Sequence, residues 1–146
     1  MTQSPHSCYS APRIPRLFRV LSISLLAMTA SSGCGRVNWG MNYERALRTA
    51  AEQRTRVLVA FHSMTNADCR AMDADAFSDA KVRKHIQQYV PVRLDPVINW
   101  QLAKRFGVET VPAFFVVRPD GEIMGSRVGK MTAEQFDYFL IRNRLN

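Results

Sequence analysis

Three short apolar runs, each of strand length, constrain this chain more than any other feature. Val57-Leu58-Val59-Ala60-Phe61, Val90-Pro91-Val92-Arg93-Leu94 and Ala113-Phe114-Phe115-Val116-Val117 are each five residues long. Val57 to Phe61 is continuous and apolar, which suits a strand covered on both faces, whereas Arg93 interrupts the second run. Stretches with helical spacing lie around them. Tyr43, Ala46, Leu47, Ala50 and Ala51 recur at intervals of three and four behind Asn42, a residue suited to capping. His62 to Asp68 is polar and reads as a loop. Cys69 to Phe77 reads as helix with Met72 and Phe77 inward, and Ser78 is suited to cap a further turn through Val82, Ile86 and Tyr89. Asn99 opens a helix that turns Leu102, Ala103 and Phe106 inward and stops at Gly107. Pro119-Asp120-Gly121 is a turn, and Ile123 to Val128 returns as its hairpin strand. Thr132 caps a last helix through Phe136, Phe139 and Leu140. The order α-β-α-β-α-β-β-α predicts an α/β fold, a four-stranded mixed sheet with helices on both faces. Pairing is expected to be parallel where helices intervene and antiparallel at the final hairpin.

The chain of 146 residues accommodates one domain. Its 47% hydrophobic and 22% charged residues exclude a disordered or collagen-like chain. With 20 Lys and Arg against 12 Asp and Glu, the net charge is +8, which raises nucleic acid or a membrane surface as partner. The first 34 residues hold Arg13, Arg16 and Arg19 and no acid, so +3 of that charge belongs to them. An uncharged stretch from Val20 to Ala30 follows, then Ser31-Ser32-Gly33 and Cys34. A basic start, a short apolar run and a small-residue exit make residues 1–34 a signal peptide. Ser32-Gly33-Cys34 resembles a bacterial lipoprotein cleavage box, which implies lipidation of Cys34 and a membrane-anchored, exported protein. Ser31 stands where that box usually has a Leu-like residue. Two alternatives stand beside this reading: an uncleaved membrane helix, and a signal cleaved nearby that leaves Cys34 free. Cys8 falls in the leader. The remainder, 37–146, forms the single domain. Its basic residues (Arg45, Arg48, Arg54, Arg56, Lys81, Arg83, Lys84) fall mostly on outward helical positions. No nucleic-acid motif accompanies them, so nucleic acid is not expected as a partner.

The element order resembles the thioredoxin fold, and particular residues carry the likeness. In that family a strand and a short loop lead to Cys-x-x-Cys at the start of a helix. Here the strand ends at Phe61, and Cys69 stands where the second cysteine stands. Trp39 with Tyr43-Glu44-Arg45-Ala46-Leu47 resembles the lead-in helix of secreted members. Phe77-Ser78-Asp79 with Val82 resembles the segment after the motif in the disulfide-reductase branch. Thr110-Val111-Pro112 resembles the loop whose proline is cis and faces the redox site, and Gly129 precedes the last helix. The likeness runs from about Val37 to the end of the chain.

The departures are chemical. Asn66 replaces the first cysteine, giving Asn66-Ala67-Asp68-Cys69. Thr65 stands where Trp is usual, and Ala60 where many thioredoxins have a buried Asp. Thiol–disulfide exchange needs an attacking thiolate and then a second thiol that releases the mixed disulfide. The likeness therefore implies at most a monothiol protein acting on a protein or peptide thiol through Cys69, with dithiol reductase activity absent. A second reading is a redox-inactive or chaperone-like module that holds extended polypeptide, with Cys69 structural. Asn66, Val111, Pro112 and His62 would frame the groove in either case. His62 is open to two roles, a base beside the site or a solvent-exposed loop residue. Trp39, Trp100, Phe114 and Phe115 read as core or rim packing. No cofactor or metal is expected, since no second Cys or close His spacing supports a metal.

Overall fold

The computed structural model describes residues 35–145, and the readings placed on the leader, Cys8 and Cys34 lie outside them. The elements are α1 (Tyr43–Gln53), β1 (Val57–Phe61), α2 (Ala67–Ala74), α3 (Ala80–Ile86), β2 (Val90–Leu94), α4 (Trp100–Arg105), β3 (Ala113–Val117), β4 (Ile123–Val128) and α5 (Ala133–Leu145). The four strands form one sheet in the order β2-β1-β3-β4.

Each of the three apolar runs becomes a strand, and β1 and β3 are buried along their whole length. Those two strands hold the middle of the sheet, so layers cover both of their faces. On one face, Val57, Val59, Phe61 and Phe115 pack with Tyr43, Ala46 and Ala50 of α1 and with Ala103 and Phe106. On the other, Leu58, Ala60, Phe114 and Val116 pack with Met72, Val82, Ile86, Phe136 and Leu140 from α2, α3 and α5. Phe114 and Phe115 thus point to opposite layers, as the two-residue period of a strand requires. Phe61, Phe114 and Phe136 are fully buried, and each such side chain contributes roughly 1.5–3 kcal/mol.

Three sequence expectations need correction. β1 pairs with β2 in parallel, but β3 runs antiparallel to β1. The reason lies in the connector. Leu94 and Ala113 both pair with Phe61, so the chain leaves β2 and enters β3 at the same end of the sheet. The connector of residues 95–112, which holds only the short α4, therefore returns the chain to the end it left. The first helix after the loop also stops at Ala74, short of the expected Phe77. Asp79, not Ser78, caps α3: its Oδ1 accepts from the N–H groups of Lys81 and Val82 at 2.8 and 3.0 Å. Ser78 Oγ turns back and donates to the Ala74 and Asp75 carbonyls.

The other caps follow the sequence. Asn42 Oδ1 accepts from Arg45 N–H at 2.8 Å. At α5, Thr132 and Gln135 exchange reciprocal hydrogen bonds in a capping box. Gly121 takes the positive φ that the β3–β4 turn demands. No helix among the described residues is long and apolar enough to cross a membrane.

Candidate functional site

The site gathers at the end of the sheet where β1 finishes and β3 begins. Asn66 caps α2, its Oδ1 accepting from Cys69 N–H at 3.0 Å. That bond satisfies one of the orphan donors of the helix N-terminus. It also turns Cys69 inward, to the face that carries Met72 three residues on. Cys69 is a free cysteine with no solvent exposure. Its Sγ accepts from the Ser63 N–H at 3.5 Å. Burial pushes the thiol above its ordinary value, and the Ser63 hydrogen bond opposes the shift.

Pro112 follows a cis peptide bond from Val111. Its carbonyl accepts from Gly129 N–H at 2.8 Å, which ties the loop to the end of the hairpin. The antiparallel register Phe61 to Ala113 sets Pro112 beside His62 at the sheet end. Pro112 is buried and Val111 half-buried, with the Val111 side chain against the α1 and α4 layer. Among the described residues, the Val111 backbone N–H and C=O make no hydrogen bond.

His62 is neither solvent-exposed nor placed as a base for Cys69. It is 4% exposed. Its backbone N–H donates to the Leu94 carbonyl, which holds the residue as an extension of the sheet. Its Nε2 lies 3.0 Å from Asp73 Oδ2 and 3.3 Å from the Cys69 carbonyl. Both partners are acceptors, so Nε2 is the nitrogen that carries the proton. Burial, then the Arg93 charge, hold His62 below its ordinary value against the pull of Asp73. The imidazole is therefore neutral at neutral pH, with its proton already committed.

Asp73 and Arg93 are the functional-site residues that sequence reasoning missed. Asp73 Oδ1 accepts from an Arg93 guanidinium N–H at 2.6 Å. The guanidinium carbon lies 4.7 Å from the Trp39 ring centroid and 5.4 Å from that of Phe77. A partly buried chain of charge and π-density thus runs from His62 through Asp73 to Arg93 and the two rings. Two signals were present in the sequence. Asp73 stands four residues after Cys69, on the same side of α2, and Arg93 interrupts an otherwise apolar strand.

Trp39 packs half-buried on Phe77, with ring centroids 5.2 Å apart. Trp100, expected in the core or at its rim, is 60% exposed on α4. The described residues hold no group of three or more His, Cys, Asp or Glu able to bind a metal.

With the site in view, comparison with known proteins becomes informative. A family model described as a thioredoxin-like domain matches residues 43–142. The chain belongs to the thioredoxin-like family. Among solved structures, a thioredoxin from Thermus thermophilus superposes on this thioredoxin-like chain with a TM-score of 0.64 and 25% identity, covering 74% of this chain and 87% of its own. The C-terminal domain of DsbD from Neisseria meningitidis, in its oxidised form, gives 0.61 and 24%, over 69% and 92%. A disulphide isomerase from Xylella fastidiosa gives 0.60 and 21%, over 70% and 96%. Comparison with curated protein sequences gives no match. The mixed four-stranded sheet between two helical layers is the thioredoxin fold.

Proposed function

We propose that this thioredoxin-like protein is exported and uses its cis-proline groove to hold an extended polypeptide, without completing thiol–disulfide exchange. The observation that carries the reading is the state of Cys69. A monothiol needs an accessible thiolate, whereas the Cys69 sulfur is fully buried and its thiol is pushed up. Asn66, half-buried at the helix start, corresponds by resemblance to the family's attacking cysteine, and its side chain is engaged as a cap. The groove itself supports binding. The unpaired backbone of Val111 can add to an extended chain by strand-type hydrogen bonds. Met64, 68% exposed two residues before Asn66, offers an apolar contact. Export rests on the leader at residues 1–34, and lipidation of Cys34 would hold the domain at a membrane.

The test uses the full chain with Cys8→Ser and Cys34→Ser, so that Cys69 is the remaining thiol. Binding of an unfolded, cysteine-blocked model polypeptide should survive Cys69→Ala and weaken with Met64→Asp. A native Cys69 that reacts with a thiol reagent as fast as a free thiol, together with binding lost in Cys69→Ala, would restore the monothiol reading. An unmodified N-terminus other than Cys34 on the mature protein, read by mass spectrometry, would remove the lipid anchor.

A further inference from the structure

A cavity of about 570 Å³ opens beside α2, lined by Asp73 rather than Cys69. Four arginines contribute to its wall, Arg36, Arg70, Arg83 and Arg93, and Trp39 and Phe77 supply an apolar side. Asp73 is the one carboxylate there, and its charge is engaged by Arg93. Arg70 and Arg83 donate only to carbonyls, those of Met64 and Ser78. Among the described residues no carboxylate pairs with Arg36, Arg70 or Arg83. Arg93 Nε is buried and makes no hydrogen bond. The volume lies within the usual range for small-molecule sites.

We propose that this cavity binds a phosphate-bearing ligand with an apolar body. The guanidiniums of Arg36, Arg70 and Arg83, which reach one wall from separate segments, offer more donors, in more directions, than one planar carboxylate can accept. A tetrahedral phosphate, with its several oxygens, matches them. The Trp39 and Phe77 side would take the apolar part. Two sources present this chemistry, a soluble phosphate ester and the headgroup of an anionic phospholipid. Gly35 and Arg36 belong to the wall, directly after Cys34 in the chain, so the headgroup source rests on the anchored reading above. The soluble source does not.

The experiment uses the full chain with Trp100→Phe, leaving Trp39 as the remaining tryptophan. Its emission is followed during titration with phenyl phosphate, with benzoate, and with vesicles of phosphatidylglycerol or phosphatidylcholine. A saturable response to phenyl phosphate supports the site with a soluble ligand. A response to phosphatidylglycerol that exceeds phosphatidylcholine, with none to phenyl phosphate, supports it with a lipid headgroup. In either case the exposed-site double variant Arg36→Gln/Arg70→Gln should weaken binding at least about tenfold while far-UV circular dichroism stays unchanged. The leader contributes equally to both chains and cancels. Unchanged binding in that variant, benzoate binding as tight as phenyl phosphate, or no saturable response to any probe would each overturn the proposal.

Discussion

Asp73→Asn removes the carboxylate that joins His62 to Arg93 and keeps the shape of the side chain. The native carboxylate accepts at 2.6 Å from Arg93 and at 3.0 Å from His62. A hydrogen bond to a charged group is worth roughly 1.5–3 kcal/mol when buried. Asp73 is 31% exposed and Arg93 22%, so solvent screening reduces the Arg93 bond to about 1–1.5 kcal/mol. The His62 bond adds about 0.5–1 kcal/mol, since a neutral amide still offers a weaker acceptor. The expected loss is about 2 kcal/mol, a fall in Tm of about 6–12 °C for a domain of this size. Arg93→Met removes the same ion pair and also the cation over Trp39, for about 2–3 kcal/mol. The double variant should cost about 1 kcal/mol less than the sum, because one interaction is counted in both singles. Urea unfolding followed by tryptophan fluorescence and circular dichroism measures all three. A loss below about 0.5 kcal/mol for Asp73→Asn, or strict additivity, would refute the claim that these groups form one network.

Replacing Asn66 by Cys should create a pair with Cys69 that closes to a disulfide on oxidation, since residues three apart on a helix start lie within bridging reach; thiol counts that stay at the reduced value would refute the assignment of Asn66 to the attacking position. The parent chain should not reduce insulin, and reduction that survives Cys34→Ser would contradict the incomplete site. Stability should fall with acid in two windows. His62 is held below its ordinary 6.5, so the unfolded chain protonates first and stability is lost as pH falls below about 6.5 toward the folded value. Burial pushes Asp137 up, but hydrogen bonds from Lys81 and His85 and their charges outweigh it and hold the carboxyl below 3.8. Its contribution is present above that value and lost as pH falls through the folded one. Chemical unfolding at stepped pH reads both windows, and Asp137→Asn should flatten the lower one only. Gly125→Ala should destabilise by about 1–3 kcal/mol, because a β-carbon there collides with the Asn143 side chain. Asn143→Ala should recover part of that loss, and absence of recovery in a thermal melt would locate the strain elsewhere.

The strands were legible in the sequence because uninterrupted apolar runs have few other uses in a small domain. The helix faces were legible where Ala, Leu and Phe recur at helical spacing, as in α1 and α5. The direction of β3 was not. It depends on where α4 deposits the chain, and the connector's path is a tertiary property. The Ser78 and Asp79 exchange is a one-residue matter, decided by which neighbour turns its side chain toward the next helix. His62 was misread for a related reason. A polar residue after a strand resembles a loop residue until its partners are known, and the imidazole's partners, Asp73 and the Cys69 carbonyl, lie in α2. Asp73 comes from α2 and Arg93 from β2, a sheet edge where a charged residue is tolerated because one side is open. The cysteine arithmetic was legible at once, since Cys69 stands three residues after Asn66 and is the one cysteine among the described residues.

One consequence of Phe114 and Phe115 reaches beyond packing. Adjacent residues of one strand belong to the two separate layers, and Pro112 of the groove lies just before that strand. β3 cannot leave its place without exposing both layers, because the strand is common to them. Pro112 is therefore fastened directly to a strand that both layers hold. A polypeptide held there as proposed would meet a firm template, do the conforming itself and bear the entropy of ordering.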